Sequence, residues 1–208
     1  MAAEIERNSV ATRDQYTFVR EIITPGNFHE KIWLLKHKTT GQLVIHKEFK
    51  KDDILSGFAA REITHLIRLG GGPNICAYKE HELNVRTQRG ALVMQVHEYG
   101  DLETLLGNHI HHRKPFPEIF VWHVLISLSQ ALLHMQRGSP PSIRDDYEYI
   151  LHRDIYLSNT FLGPPSHHRS WPPVVLGDLG SSISKTDVDA GRYIQLRQQP
   201  RSSPPPGE

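Results

Sequence analysis

Between residues 16 and 96 the chain reads as strand runs broken by turns, with one helical stretch inserted. No other feature limits its folds more. The runs 16–23, 31–37 and 42–49 are rich in β-branched and aromatic residues, and Thr24-Pro25-Gly26-Asn27 and Thr39-Thr40-Gly41 separate them. Both separators are turn chemistry, since proline presets φ and glycine supplies positive φ. In 58–69 the period changes: Phe58, Ile63, Leu66, Ile67 and Leu69 fall near one helical face, and Gly70-Gly71-Gly72-Pro73 ends the pattern. Runs 74–83 and 90–96 return to strand character. This order predicts a mostly antiparallel sheet carrying one helix.

The second half changes character. It predicts a short helix over 101–106, a polar loop over 109–114, and a long amphipathic helix over 117–135 with Pro117 in its first turn. A loop over 138–149 leads to residues 150–162, ILHRDIYLSNTFL. A Pro/His-rich insertion (163–173) precedes a short apolar strand, 174–176, which runs into Gly177-Asp178-Leu179-Gly180. From about Thr186 the apolar signal fades, and RQQPRSSPPPGE has the composition of a disordered tail. The fold class is α+β.

Composition excludes several functions. Lys and Arg (24) nearly balance Asp and Glu (23), giving a net charge of +1. No electrostatic case exists for nucleic acid or an anionic membrane as main partner, although a small phosphate ligand needs only a local site. The single cysteine, Cys76, allows no intrachain disulfide and no thiolate zinc site. The start, MAAEIERNSV, lacks the apolar core of a secretory signal. The stretch 120–133 contains His123, Ser127, Ser129 and Gln130 and reads as too short and too polar to span a bilayer. A soluble cytoplasmic or nuclear protein is expected. Of the histidines, His109, His111 and His112 cluster, as do His167 and His168, but in polar loops without a scaffold for a metal.

Several charged residues admit two readings. Lys47 lies in an apolar strand pattern, LVIHKEF, and a lysine facing inward needs an anion. Glu62, on the following helix, is able to supply it and to hold the ammonium for a ligand phosphate; alternatively both are solvated surface residues. Asp154 and Asn159, five apart in one loop, suit a proton acceptor and a metal ligand, or simply a turn. Asp178 suits a magnesium ligand or, again, a turn.

Their order decides between the readings. A lysine on the third strand, a glutamate on the next helix, His152-Arg153-Asp154 with Asn159, then Asp178-Leu179-Gly180 together make the protein-kinase signature set. Over residues 16–185 the chain resembles a eukaryotic protein kinase domain. The stretches VIHKEF (44–49) and ALVMQVHEYGDL (91–102) are most similar to the NIMA-related serine/threonine kinases.

The resemblance implies a two-lobed fold, with a complete β-rich N-lobe over 16–97 and a partial helical C-lobe over 98–185. An N-terminal extension (1–15) and a disordered tail (186–208) flank it. It implies ATP and Mg²⁺ as cofactors and a protein serine or threonine as substrate. Lys47, held by Glu62, contacts the ATP phosphates. Met94 closes the back of the adenine pocket, and the backbones of Gln95 and His97 bond adenine. Asp101 matches the ribose-contacting position, Phe161 lies under adenine, and Ile23, Gly26, Ile32 and Ile45 complete the nucleotide site. Asp154 is the catalytic base, Asn159 and Asp178 hold magnesium, and Arg153 awaits a phosphate or acid.

The chain also departs from the family. The phosphate-covering loop keeps Gly26 and Phe28, but Thr24 and His29 stand near the other two glycine positions, with one extra residue before Lys47. Ile45 replaces an alanine against adenine, adding volume. Tyr156-Leu157 stands where serine/threonine kinases carry Lys-Pro. No Ala-Pro-Glu-like motif follows Asp178. A domain truncated after Asp-Leu-Gly is therefore expected, with the apolar face of 117–135 open to a partner. The rival expectation is a kinase-like nucleotide-binding or interaction module that does not transfer phosphate.

Overall fold

The computed structural model describes residues 13–23, 31–138, 147–164 and 171–192. Its first part is a five-stranded antiparallel sheet of β1 (Tyr16–Glu21), β2 (Lys31–His37), β3 (Leu43–Glu48), β4 (Tyr78–Asn84) and β5 (Arg89–Gln95). The spatial order is β1-β2-β3-β5-β4, so the chain leaves the sheet after β3 and returns at its far edge. Two helices fill the gap, α1 (Lys51–Leu55) and α2 (Phe58–Leu69). The expected strands and the helix at 58–69 are all present. The short α1 was not expected, because five residues (KDDIL) show no helical period.

Helix α2 buries Ala59, Ala60, Ile63, Leu66 and Leu69, and it lies on β4. These residues join Phe49, Leu92, Met135, Ile150, Leu176 and Leu179 in one core that continues into the second half. There α3 (Leu102–His111) and α4 (Glu118–Arg137) support two short strand pairs built from β6 (Ile150–Leu151), β7 (Thr160–Leu162), β8 (Val174–Leu176) and β9 (Ile183–Ser184). β7 pairs with β8 and β6 with β9, both antiparallel. Helix α3 runs through His109 and His111, which the sequence placed in a loop. Asp101 caps its first turn by accepting from Thr104 N–H at 2.7 Å.

Helix α4 is longer than its expected bounds. It has 20 residues and is apolar enough, by length and composition alone, to cross a membrane, so the expectation of a stretch too short for this does not hold. Its inner face buries Phe120, Ser127, Ala131 and Met135. Its outer face leaves Ile119, Trp122, Leu125, Ile126 and Leu133 more than half exposed.

The loop after α2 touches the end of α4. A Cβ on Gly72 would sit 2.1 Å from the His134 ring, so any other residue there requires that ring to move. Past the expected boundary at 185, α5 (Lys185–Asp189) continues the fold. Ser184 and Asp187 form a capping box at its start. Residues 193–208 of the expected tail, and His167 and His168, lie outside the described residues.

Candidate active site

The site is assembled where β3, α2 and the turn after β8 meet. Strand alternation puts Ile45 and Lys47 on the same face of the sheet. Ile45 stands opposite Met94 and Lys47 opposite Leu92. Ile32, across from Lys47 on β2, shares that face. Lys47 is buried, and its Nζ donates to Glu62 Oε1 at 2.7 Å and to Asp178 Oδ1 at 2.9 Å. Two carboxylates far apart in sequence thus share one ammonium, so Lys47 and Glu62 are not solvated surface residues.

The charges are unequal. Burial alone would lower the pKa of Lys47, but Asp178 and then Glu62 outweigh it and raise it, so the ammonium stays charged. Burial alone would raise Asp178, yet Lys47 beside it holds the carboxyl at about 2. For Glu62 burial wins over Lys47, and its pKa is raised. Of the two carboxylates, Asp178 keeps its charge more firmly.

Asp178 has φ +56° and Arg153 has φ +69°, both left-handed and both non-glycine. Such strain persists only where the surroundings over-determine it. Several bonds do so here. Gly177 N–H donates to the Asn159 carbonyl at 2.9 Å, and Gly180 N–H reaches Asp178 Oδ1 at 3.3 Å. His152 is buried; Asp154 N–H donates to its Nδ1, so the proton is on Nε2, which donates to the Gly177 carbonyl at 2.9 Å. His152 therefore supports backbone.

Asn159 Nδ2 donates to the Asp154 carbonyl at 2.9 Å and to its carboxylate at 3.1 Å. Partial burial, and after it the charge of Asp178, raise the pKa of Asp154. The amide's own oxygen and the second oxygen of Asp178 remain as hard oxygen donors, the type that suits Mg²⁺. Asn159 and Asp178 thus fit a magnesium site, held close by the Gly177–Asn159 backbone bond.

The remaining expected residues spread around this centre. Phe161, on β7, has its ring against Gly177, where a Cβ would approach to 2.7 Å. His97 stacks on Phe161 with ring centroids 5.8 Å apart, and both its ring nitrogens are buried without a partner. Met94 and Gln95 end β5 and are partly buried. Asp101 serves as the α3 cap. Ile23, just beyond β1, is 91% exposed. Gly26, with Thr24, Phe28 and His29, lies outside the described residues. Tyr156 is 51% exposed.

No family model matches the chain. It is 27% identical over 175 residues to the serine/threonine-protein kinase Nek2 of Mus musculus, a match covering 79% of this chain and 37% of that protein. The same kinase of Homo sapiens is 26% identical over 179 residues, covering 81% and 38%. The G2-specific protein kinase fin1 of Schizosaccharomyces pombe is 29% identical over 190 residues, covering 85% and 25%. These matches support a protein kinase domain with NIMA-like affinity. It spans well under half the length of the curated relatives it matches.

The fold also holds functional candidates that the motifs do not mark. Asp187 is buried, and Arg61 of α2 (3.6 Å) and Arg192 (3.1 Å) pair with it. The capping pattern Ser184-x-x-Asp187 was the one signal in the sequence that pointed to this residue. His65 and Ser182, in contact across 117 residues, gave none.

Proposed function

We propose that the chain is a serine/threonine protein kinase that transfers the γ-phosphoryl group of ATP to a protein hydroxyl. The shared ion cluster Lys47–Glu62–Asp178 carries this reading. A buried ammonium between two carboxylates is poised to exchange one of them for ATP phosphate oxygens. The Ile32, Ile45, Met94 and Phe161 side chains flank the adenine, which bonds to the backbones of Gln95 and His97. Asn159 and Asp178 hold Mg²⁺, which supplies charge neutralisation on the phosphates.

In the reaction the substrate hydroxyl oxygen attacks the γ-phosphorus as the bond to the β–γ bridging oxygen breaks, and ADP leaves. Asp154 takes the hydroxyl proton, and its raised pKa suits that role. Asn159 orients the Asp154 carboxylate through its amide. ATP and a protein substrate are the partners, in the cytoplasm or nucleus, with no role for nucleic acid or membrane.

One observation favours a second reading, a kinase-like module that binds nucleotide without transfer. Tyr156 offers no positive charge to the γ-phosphate. A thermal-shift titration with ATP, with and without Mg²⁺, tests the common part of both readings. Both expect a magnesium-dependent rise in melting temperature that Lys47→Met abolishes; no rise in the wild type refutes both.

A further inference from the structure

Helix α2 grips the Asp178 turn at a second point, away from the ion cluster. His65 lies three residues after Glu62 and is 1% exposed, and its Nδ1 stands 2.7 Å from Ser182 Oγ. Ser182 is fully buried, and its Oγ is 2.5 Å from the Leu179 carbonyl. A carbonyl brings no proton, so the serine hydroxyl donates to it. That hydroxyl has one proton, so the contact with His65 needs the proton on Nδ1. The result is a directed relay: His65 Nδ1–H to Ser182 Oγ, and Ser182 Oγ–H to the Leu179 carbonyl. Ser182 N–H donates to the same carbonyl at 3.0 Å.

The relay ends on the residue immediately after Asp178, whose left-handed φ is costly for an aspartate. We infer that His65 is a positioning residue: through Ser182 it fixes the Leu179 carbonyl and so holds the Asp178 turn with its carboxylate on Lys47. Glu62 and His65, three apart, lie on neighbouring parts of one helix surface. One reaches Asp178 through Lys47, the other through the backbone. The Arg61–Asp187 pair fastens the following segment to the same helix. His65 touches no reacting atom, so its effect on catalysis rests on the kinase reading; the relay itself does not.

Two substitutions separate a donor from a filler. His65→Leu fills the space without a donor, whereas His65→Asn places an amide N–H near the position of Nδ1. In the full chain, His65→Leu should lower kcat about 10- to 100-fold while KM for ATP changes less than about twofold. His65→Asn should return kcat to within about threefold of wild type. A packing role gives the reverse order, with leucine better than asparagine, and would overturn the proposal. Where His65→Leu fails to fold, Ser182→Ala takes its place with the same expected loss of kcat.

Nitrogen NMR of the wild type supplies a readout independent of activity. It should show the His65 proton on Nδ1, and Ser182→Ala should speed hydrogen exchange at the Gly180 amide about tenfold or more. A proton on Nε2, or unchanged exchange, refutes the relay. A wild type without phosphoryl transfer refutes the kinase reading alone, and these two spectroscopic results then decide the relay.

Discussion

Replacing Lys47 with methionine should destabilise the protein far more than its loss of one side-chain contact suggests. The substitution keeps the length and removes the charge. Glu62 Oε1 and Asp178 Oδ1, 2.7 and 2.9 Å from Nζ, then face each other with no cation between them. Breaking a buried pair by removing one partner costs about 3–5 kcal/mol, because the other charge stays buried and uncompensated. Here two carboxylates are left, with Glu62 the more deeply buried and its pKa already raised.

The pH dependence follows with a definite sign. In the wild type, Asp178 is depressed to about 2 against an ordinary 3.8, so its contribution is present above pH 3.8 and is lost as pH falls toward 2. In Lys47→Met both carboxyls titrate above their ordinary values. They take up protons in the folded state first, so the deficit is largest at pH 7 and narrows on acidification toward pH 5. Urea unfolding followed by tryptophan fluorescence measures this, and Glu62→Gln added to Lys47→Met should recover about 1–3 kcal/mol. A deficit below about 1 kcal/mol, typical of a solvated pair, or one independent of pH, would refute the buried cluster.

Two further outcomes are expected. Burial holds His65 at about 4 against an ordinary 6.5, so the unfolded chain takes up a proton that the fold refuses. Stability should fall by roughly 3 kcal/mol on this account as pH drops from 7 to 4, and urea midpoints of His65→Asn should lack that part of the slope. Gly72→Ala drives a methyl into the His134 ring, and thermal unfolding should show a loss of about 1–3 kcal/mol; an unchanged melting temperature would show that His134 swings away freely.

Much of this was legible in the sequence where local chemistry and period agree. The strands on either side of the Thr-Gly turn, and the helix closed by Gly70, appear where their patterns put them. Lys47, Glu62 and Asp178 were recognisable because their order is a signature, and the fold brings them onto one another. Helix α1 was hidden because five residues cannot display a 3.6-residue period. Helix α3 outran its expected end because its histidines, polar in sequence, continue a helix that Asp101 caps. The apolar signal fades before α5, whose stability comes from its capping box and from Arg61, 126 residues away from Asp187. The His65–Ser182 contact was illegible for the same reason: neither residue has a local pattern, and only the packing of α2 on the Asp178 turn joins them.

The central claim is that Asp154 accepts the proton of a hydroxyl receiving phosphate from ATP. Phosphoryl transfer from radiolabelled ATP, in Mg²⁺, to the chain itself and to a generic serine/threonine protein substrate should be compared for the wild type and Asp154→Asn. The account predicts measurable transfer that falls at least about 100-fold in the variant, while magnesium-dependent ATP binding stays within about threefold. Binding without transfer in the wild type, or transfer unchanged by Asp154→Asn, would contradict it.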